Sequence, residues 1–159
     1  MPDYHVRPAT TNDADALGEL GALMVHTHHM LDSHRFMAPG AHSEEGYGRF
    51  LTSQLDRDDR VVFVAQRKGE ILGYVYATLE ERSWRDLRDA CGYIDDILVR
   101  DTARQGGVAS ALMAAATEWL RAHGAPRVVL MTATANEAAQ SLFTRLGFRR
   151  TMVEMTLEL

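Results

Sequence analysis

Residues 93–109 read Tyr93-Ile94-Asp95-Asp96-Ile97-Leu98-Val99, then Arg100-Asp101-Thr102-Ala103-Arg104-Gln105-Gly106-Gly107-Val108-Ala109. The first seven have the apolar weight of a long strand. The next residues form a tight loop, and from Val108 to Ala122 the apolar Leu112, Ala116 and Trp119 recur on one side of a helix that Gly124 ends. The first amides of a helix have no intrahelical acceptor and lie at the positive end of its dipole. Gly106 and Gly107 let the backbone curl and approach a ligand with no Cβ in the way, and Ala109 keeps that approach open. Such a bend suits a phosphate or pyrophosphate, although its spacing alone is equally that of an ordinary glycine loop. There is no G-x-x-x-x-G-K-[ST], and no G-x-G-x-x-G with an acidic residue about twenty positions on, so a nucleotide-hydrolysing P-loop and a dinucleotide fingerprint are excluded.

Outward from this stretch the elements fall into order. Tyr4 to Arg7 is a short strand stopped by Pro8, and Thr10-Thr11-Asn12-Asp13 supplies helix-capping chemistry. Leu17, Leu20, Met24 and Leu31 form one apolar stripe on a helix ending near residue 30. Residues 32–43 read as a loop and Glu44 to Leu55 as a second helix. Val61 to Ala65 and Ile71 to Leu79, joined by Lys68-Gly69-Glu70, make a hairpin. Val128 to Met131 is a further strand, and Asn136 to Leu146 a helix closed by Gly147. From Thr151 to Leu159 apolar and polar residues alternate, which predicts a terminal strand. The order is β-α-α-β-β-β-α-β-α-β. Its class is α/β, of the α+β kind: a mixed, mostly antiparallel sheet with one β-α-β crossover and helices on both faces.

Composition bounds the function. A chain of 159 residues suits one domain, 1–159. With 46% hydrophobic and 25% charged residues it is an ordinary globular sequence, which excludes a disordered chain, a collagen-like fibre and a disulfide scaffold. The net charge of −5 argues against a nucleic-acid partner. The lone Cys91 cannot form an internal disulfide. No signal peptide and no run of 18 apolar residues is present, so no membrane association and a cytoplasmic location are expected.

The segment Arg104-Gln105-Gly106-Gly107-Val108-Ala109 matches [QR]-x-x-G-x-[GA], the acetyl-coenzyme A signature of the GNAT superfamily of N-acetyltransferases. Asn136-Glu137-Ala138-Ala139-Gln140-Ser141-Leu142-Phe143-Thr144-Arg145-Leu146-Gly147-Phe148 resembles that family's N-x-x-A-x-x-x-[YF]-x-x-x-G-F element, and the order of elements agrees from Tyr4 to Leu159. The resemblance implies the GNAT fold and transfer of an acetyl group from acetyl-CoA to a primary amine, by direct attack in a ternary complex. It also implies a set of coenzyme contacts. Gln105, Gly107, Val108, Ala109 and Ser110 would hold the pyrophosphate, with Gly106 in the same bend and Arg104 shaping the loop or near phosphate. The backbone of Ile97, Leu98 and Val99 would line the pantetheine arm, and the Val99 amide would polarise the thioester carbonyl. Asn136 would face the arm from the other side, with Phe143 nearby.

An alkyl amine with a pKa of about 10.4 is neutral to roughly one part in 2,500 at pH 7, so a proton acceptor helps. In the family, bases occupy the positions matching Tyr93 and Asp95. Strand parity puts Tyr93, Asp95, Ile97 and Val99 on one face and Ile94, Asp96 and Leu98 on the other. Asp95 is the expected base, and a bulge would reverse the parity and favour Asp96. Both aspartates equally suit a role in binding a cationic substrate or capping a strand edge. The tyrosine that protonates the thiolate in many relatives would fall at Phe143, which has no proton to give. Tyr93, Ser141 or water would then serve, or the thiolate would leave unassisted.

His26, His28, His29, His34 and His42 cluster at and after the end of the first helix. In this fold the first two helices cover the acceptor site, so His28, His29, Leu31, Phe36 and Tyr47 are expected substrate-wall residues, and no metal is expected. Tyr74 and Tyr76 share one strand face as core or substrate contacts, Tyr76 being the candidate contact. Glu80, Glu81, Asp86 and Asp89 are a solvated connection or attract a cationic amine. The expected partner is a small-molecule amine, with protein N-termini, lysines and a non-catalytic acyl-CoA-binding role as alternatives. The regular terminal strand predicts a homodimer through its edge.

Overall fold

The computed structural model describes residues 2–159. In chain order the elements are β1 (His5–Pro8), α1 (Ala14–Leu31), α2 (Ser43–Thr52), β2 (Arg60–Arg67), β3 (Glu70–Glu80), β4 (Cys91–Val99), α3 (Val108–Ala122), β5 (Val128–Leu130) and α4 (Glu137–Arg145). The strands form one sheet in the order β1-β2-β3-β4-β5. Neighbours are antiparallel except β4 and β5, which α3 joins as a parallel crossover. Lys68 and Gly69, both at positive φ, close the β2–β3 turn.

Helices cover both faces of the sheet. Ala77, Ile94 and Val99 pack with Leu112, Met113 and Phe143 on the α3 side. Val62, Tyr74 and Leu98 pack with Leu17, Leu20 and Leu51 on the α1–α2 side. The central β3 is buried from Ile71 through Thr78 because both of its faces are covered.

α1 and α2 meet more closely than side chains would allow. A Cβ on Gly18 would stand 2.4 Å from the Glu44 carbonyl oxygen, and one on Gly48 would stand 2.6 Å from that of Ala14. A Cβ on Gly21 would lie 2.1 Å from the Tyr47 ring. Glycine at these positions seats α2 against α1 and lays Tyr47 across it. A Gly18→Ala variant should lose about 1–3 kcal/mol of stability, because backbone rather than a flexible side chain must give way. Urea denaturation should show the midpoint falling with an unchanged slope.

The tail departs from the sequence reading. Residues 151–159 form no strand, and Met152, Val153, Met155 and Leu157 are exposed. Alternation states what a strand would bury but supplies no partner. β5 is three residues long, and the side-chain anchor recorded for the tail is Glu154 on Arg35. The homodimer expected from a terminal strand edge therefore has no strand to rest on.

Candidate active site

Between Ile94 and Asp96, β4 departs from regular pairing. Tyr76 lies opposite Asp96 and Ala77 opposite Ile94, which leaves Asp95 as an extra residue in a bulge. The bulge corrects the expected parity. The Thr78 hydroxyl donates to Asp95 at 2.9 Å and the Tyr74 hydroxyl to Asp96 at 3.3 Å. Tyr74 and Thr78 share one face of β3, so both carboxylates turn to the α1–α2 side. Ile97 and Val99 pack toward α3, opposite the carboxylates rather than beside Asp95 as regular alternation would have it.

Beyond the bulge β4 offers a free edge. β5 pairs with β4 only over residues 92–94. On the β3 side the Arg100 amide donates to the Leu72 carbonyl at 2.8 Å, one step past the Gly73–Val99 pair. Antiparallel pairs alternate between bonded and non-bonded. Leu98 therefore bonds to Tyr74, while Ile97 and Val99 direct their N–H and C=O groups away from β3, where no strand meets them. Of the three expected arm-lining residues, Leu98 thus spends its backbone on the sheet and its side chain on the core.

The free edge runs into the bend before α3. Asp101–Ala103 is a 3-10 turn, Gln105 and Gly107 adopt positive φ (65° and 77°), and Gly107 caps α3 with no side-chain hydrogen bond. Among the described residues the amides of residues 105–110 donate to no protein acceptor. Arg104 forms an ion pair with Asp101 at 2.8 Å, which shapes the turn. Asn136 caps α4, its side-chain oxygen accepting from Ala139 at 3.1 Å, so its amide nitrogen stays available as a donor. Phe143 is buried against Phe148, with ring centroids 5.9 Å apart. A row of free strand donors leading to a cluster of free helix amides fits an extended amide chain ending in a diphosphate, which is the chemistry of coenzyme A.

The other end of the groove is acidic. Asp95 is exposed at the lip of the groove, yet the protein around it takes away part of its hydration. That loss of hydration pushes its carboxyl up to about 6; the Thr78 hydrogen bond opposes the shift, and the charges of Asp96 and Glu80 add to it. Asp96 lies deeper, and burial raises it against the hydrogen bonds from Tyr47 and Tyr74. Glu80 pairs with Arg88, whose guanidinium sits 6.0 Å over the Tyr93 ring. Tyr93 is half-buried, and burial followed by the Asp95 charge raises its phenol.

A model described as the Acetyltransferase (GNAT) family matches residues 27–148. The chain belongs to the GNAT acetyltransferase family. An uncharacterized N-acetyltransferase of Bacillus subtilis, YhfO, is 26% identical over 91% of this chain and 89% of its own length. A mutant of the Bacillus halodurans protein BH1408 superposes with a TM-score of 0.84 at 21% identity, over 98% of this chain and 99% of that one. Aminoglycoside N-acetyltransferase AAC(6')-Iy in complex with CoA superposes with a TM-score of 0.76 at 19% identity, over 100% and 96%. At these identities the two structures speak for the fold alone. As a GNAT member the chain is an N-acetyltransferase whose acetyl donor is acetyl-CoA.

The α1–α2 wall of the GNAT site is only partly as expected. His28 and Phe36 meet edge to face, with centroids 4.9 Å apart, and both are half-buried. The His28 Nδ1–H donates to the Met24 carbonyl at 2.9 Å and that of His29 to the Phe36 carbonyl at 3.2 Å, so each ring is oriented by a backbone carbonyl. Leu31 is half-buried at the end of α1. Tyr47 reaches Asp96. Tyr76 is 4% exposed, and its hydroxyl is engaged with Gln54 and Arg60, so it belongs to the core. Sequence reasoning missed Thr78. Its alternation with Tyr74 and Tyr76 was visible, but nothing local tied it to Asp95.

No helix among the described residues is long and apolar enough to cross a membrane.

Proposed function

We propose that the chain acetylates a small-molecule primary amine, with Asp95 as the proton acceptor. The observation that carries this reading is the continuity of β4: a carboxylate on the bulge, a free strand edge at Ile97 and Val99, and the uncapped amides of α3 follow one another within one segment. The fold likeness to an aminoglycoside N-acetyltransferase and the adjacent carboxylates of Asp95 and Asp96, which bond to hydroxyl groups rather than to a cationic side chain, support a small cationic acceptor.

Bound acetyl-CoA supplies an acyl carbon activated as a thioester. The amides of residues 105–110 hold the diphosphate, and the edge at Ile97 and Val99 aligns the arm. The Val99 amide donates to the carbonyl oxygen as negative charge gathers there, a contribution of a few kcal/mol in comparable sites. Asp95 accepts the nitrogen's proton as the C–N bond forms and the C–S bond breaks. The leaving sulfur then takes a proton through solvent, because Phe143 has none to give. A thiol pKa of about 8.5 makes that departure tolerable.

The test is release of free thiol from acetyl-CoA against a panel of aminoglycosides, polyamines, amino-acid derivatives and short peptides. Turnover with one of the small amines is expected. Turnover confined to peptide N-termini or lysines would replace the proposed acceptor class.

A further inference from the structure

Two aspartates stand side by side on β4, and the proposed reaction uses one of them. Asp96 is held from two elements at once. One of its carboxylate oxygens, Oδ2, accepts the Tyr47 hydroxyl from α2 and the Tyr74 hydroxyl from β3, the latter at 3.3 Å. Both phenols also approach the Met24 sulfur of α1 at 3.9 Å. Tyr47 can reach Asp96 only because Gly21 leaves room for its ring on α1. Three elements therefore converge on the residue next to the bulge.

From this convergence we infer that Asp96 is a positioning residue: its two phenol bonds lock the β4 bulge in the register that turns Asp95 toward the acceptor. The inference rests on the reading of Asp95 as proton acceptor. A bulged residue has no backbone partner across the ladder, so side-chain bonds hold the register: Thr78 of β3 holds Asp95 itself, and Tyr47 and Tyr74 hold its neighbour Asp96. A slip of one position would carry the carboxylate of Asp95 to the opposite face, among the apolar side chains under α3. Asp96 also faces Asp95 as a like charge. The other ionisable groups around the pair are Tyr74, Tyr76 and Glu80 on β3, Tyr93 on β4, Arg60 on β2, Arg88 before β4, His28 on α1 and Tyr47 on α2. Asp96 is a poorer candidate for the base than Asp95, since it lies deeper in the protein and its Oδ2 is tied to two hydroxyl groups.

The test compares the wild type, Asp95→Asn, Asp96→Asn and the double variant Tyr47→Phe/Tyr74→Phe. The readouts are kcat, the pH profile of kcat/KM and acetyl-CoA affinity by calorimetry. The double variant keeps both rings and the Asp96 charge but removes the lock. Its kcat should fall about a hundredfold, the scale of a misplaced reacting group, with acetyl-CoA affinity within about twofold. Asp96→Asn should lower kcat and move the acidic limb to lower pH, because Asp95 loses a negative neighbour. Unchanged kcat and an unmoved limb in both variants would overturn the positioning role while leaving the Asp95 reading intact. A limb that disappears in Asp96→Asn but persists in Asp95→Asn would make Asp96 the base and overturn both. A wild-type limb that none of the variants alters would remove the proton-acceptor reading and the positioning role with it.

Discussion

An Asp95→Asn variant should lose about 10²–10³-fold in kcat/KM near pH 7 while binding acetyl-CoA as the wild type does. General-base catalysis contributes on this scale, and asparagine keeps the size and the Thr78 hydrogen bond while losing the basic lone pair. The pH profile carries the sign. Asp95 accepts a proton only when ionised, and its carboxyl sits at about 6. Wild-type kcat/KM should therefore fall as pH drops through about 6, and that limb should vanish in the variant. Stability should move the other way. A carboxyl raised in the folded state binds more protons there than in the unfolded chain, so its contribution weakens as pH rises from about 4, the ordinary carboxylate value, to about 6. Asp95→Asn removes that ionisation and should melt at the same temperature as the wild type or higher, the usual exchange between a site and its scaffold. A variant with full kcat/KM across this range would remove Asp95 from the chemistry.

What the sequence conveyed and what it hid follow from the range of the interactions involved. The bend at residues 104–109 was legible because its chemistry is local: positive φ at Gly107 and uncapped amides at Val108 and Ala109 depend on a handful of neighbours. The helix and strand order was legible from periodicity, since each element buries one or both faces. The face on which Asp95 and Asp96 lie was not legible. It depends on β4's register against β3, and one extra residue in a strand overturns every parity argument across it. Tyr47 was singled out as a wall residue, but its bond to Asp96 needs the close approach of α1 and α2 that Gly18, Gly21 and Gly48 permit. Tyr76 was open between core and substrate contact because alternation identifies a face and not its depth; α2 covers that part of β3 and takes the tyrosine into the core. The tail at residues 151–159 failed for the complementary reason. It has the pattern of a strand, yet pairing is a property of two segments.

The other large effect is expected at Gly107. Its backbone sits at φ 77° and ψ 0°, the left-handed conformation, immediately before the first residue of α3. A side chain there costs about 1–2 kcal/mol, and more for a β-branched residue. A Cβ would also stand 3.4 Å from the Tyr4 hydroxyl. A Gly107→Val variant can relieve the strain only by returning to negative φ, which rotates the following peptides and turns the amides of Val108 and Ala109 away from their common focus. The fold should survive, since α3 keeps Val108, Leu112 and Met113 in the core. Affinity for CoA should fall about a hundredfold or more, equivalent to roughly 2.7 kcal/mol. Gly106→Ala separates the two possible causes of such a loss. Gly106 is not at positive φ, and its added Cβ would meet only the Ala103 carbonyl oxygen at 3.5 Å, an ordinary contact. The melting temperature should stay put in that variant, so any loss of CoA affinity reports a methyl group in the ligand's path rather than strain in the bend. Calorimetry with CoA on both variants decides the matter: wild-type affinity in Gly107→Val would mean that the diphosphate is held somewhere other than at these amides.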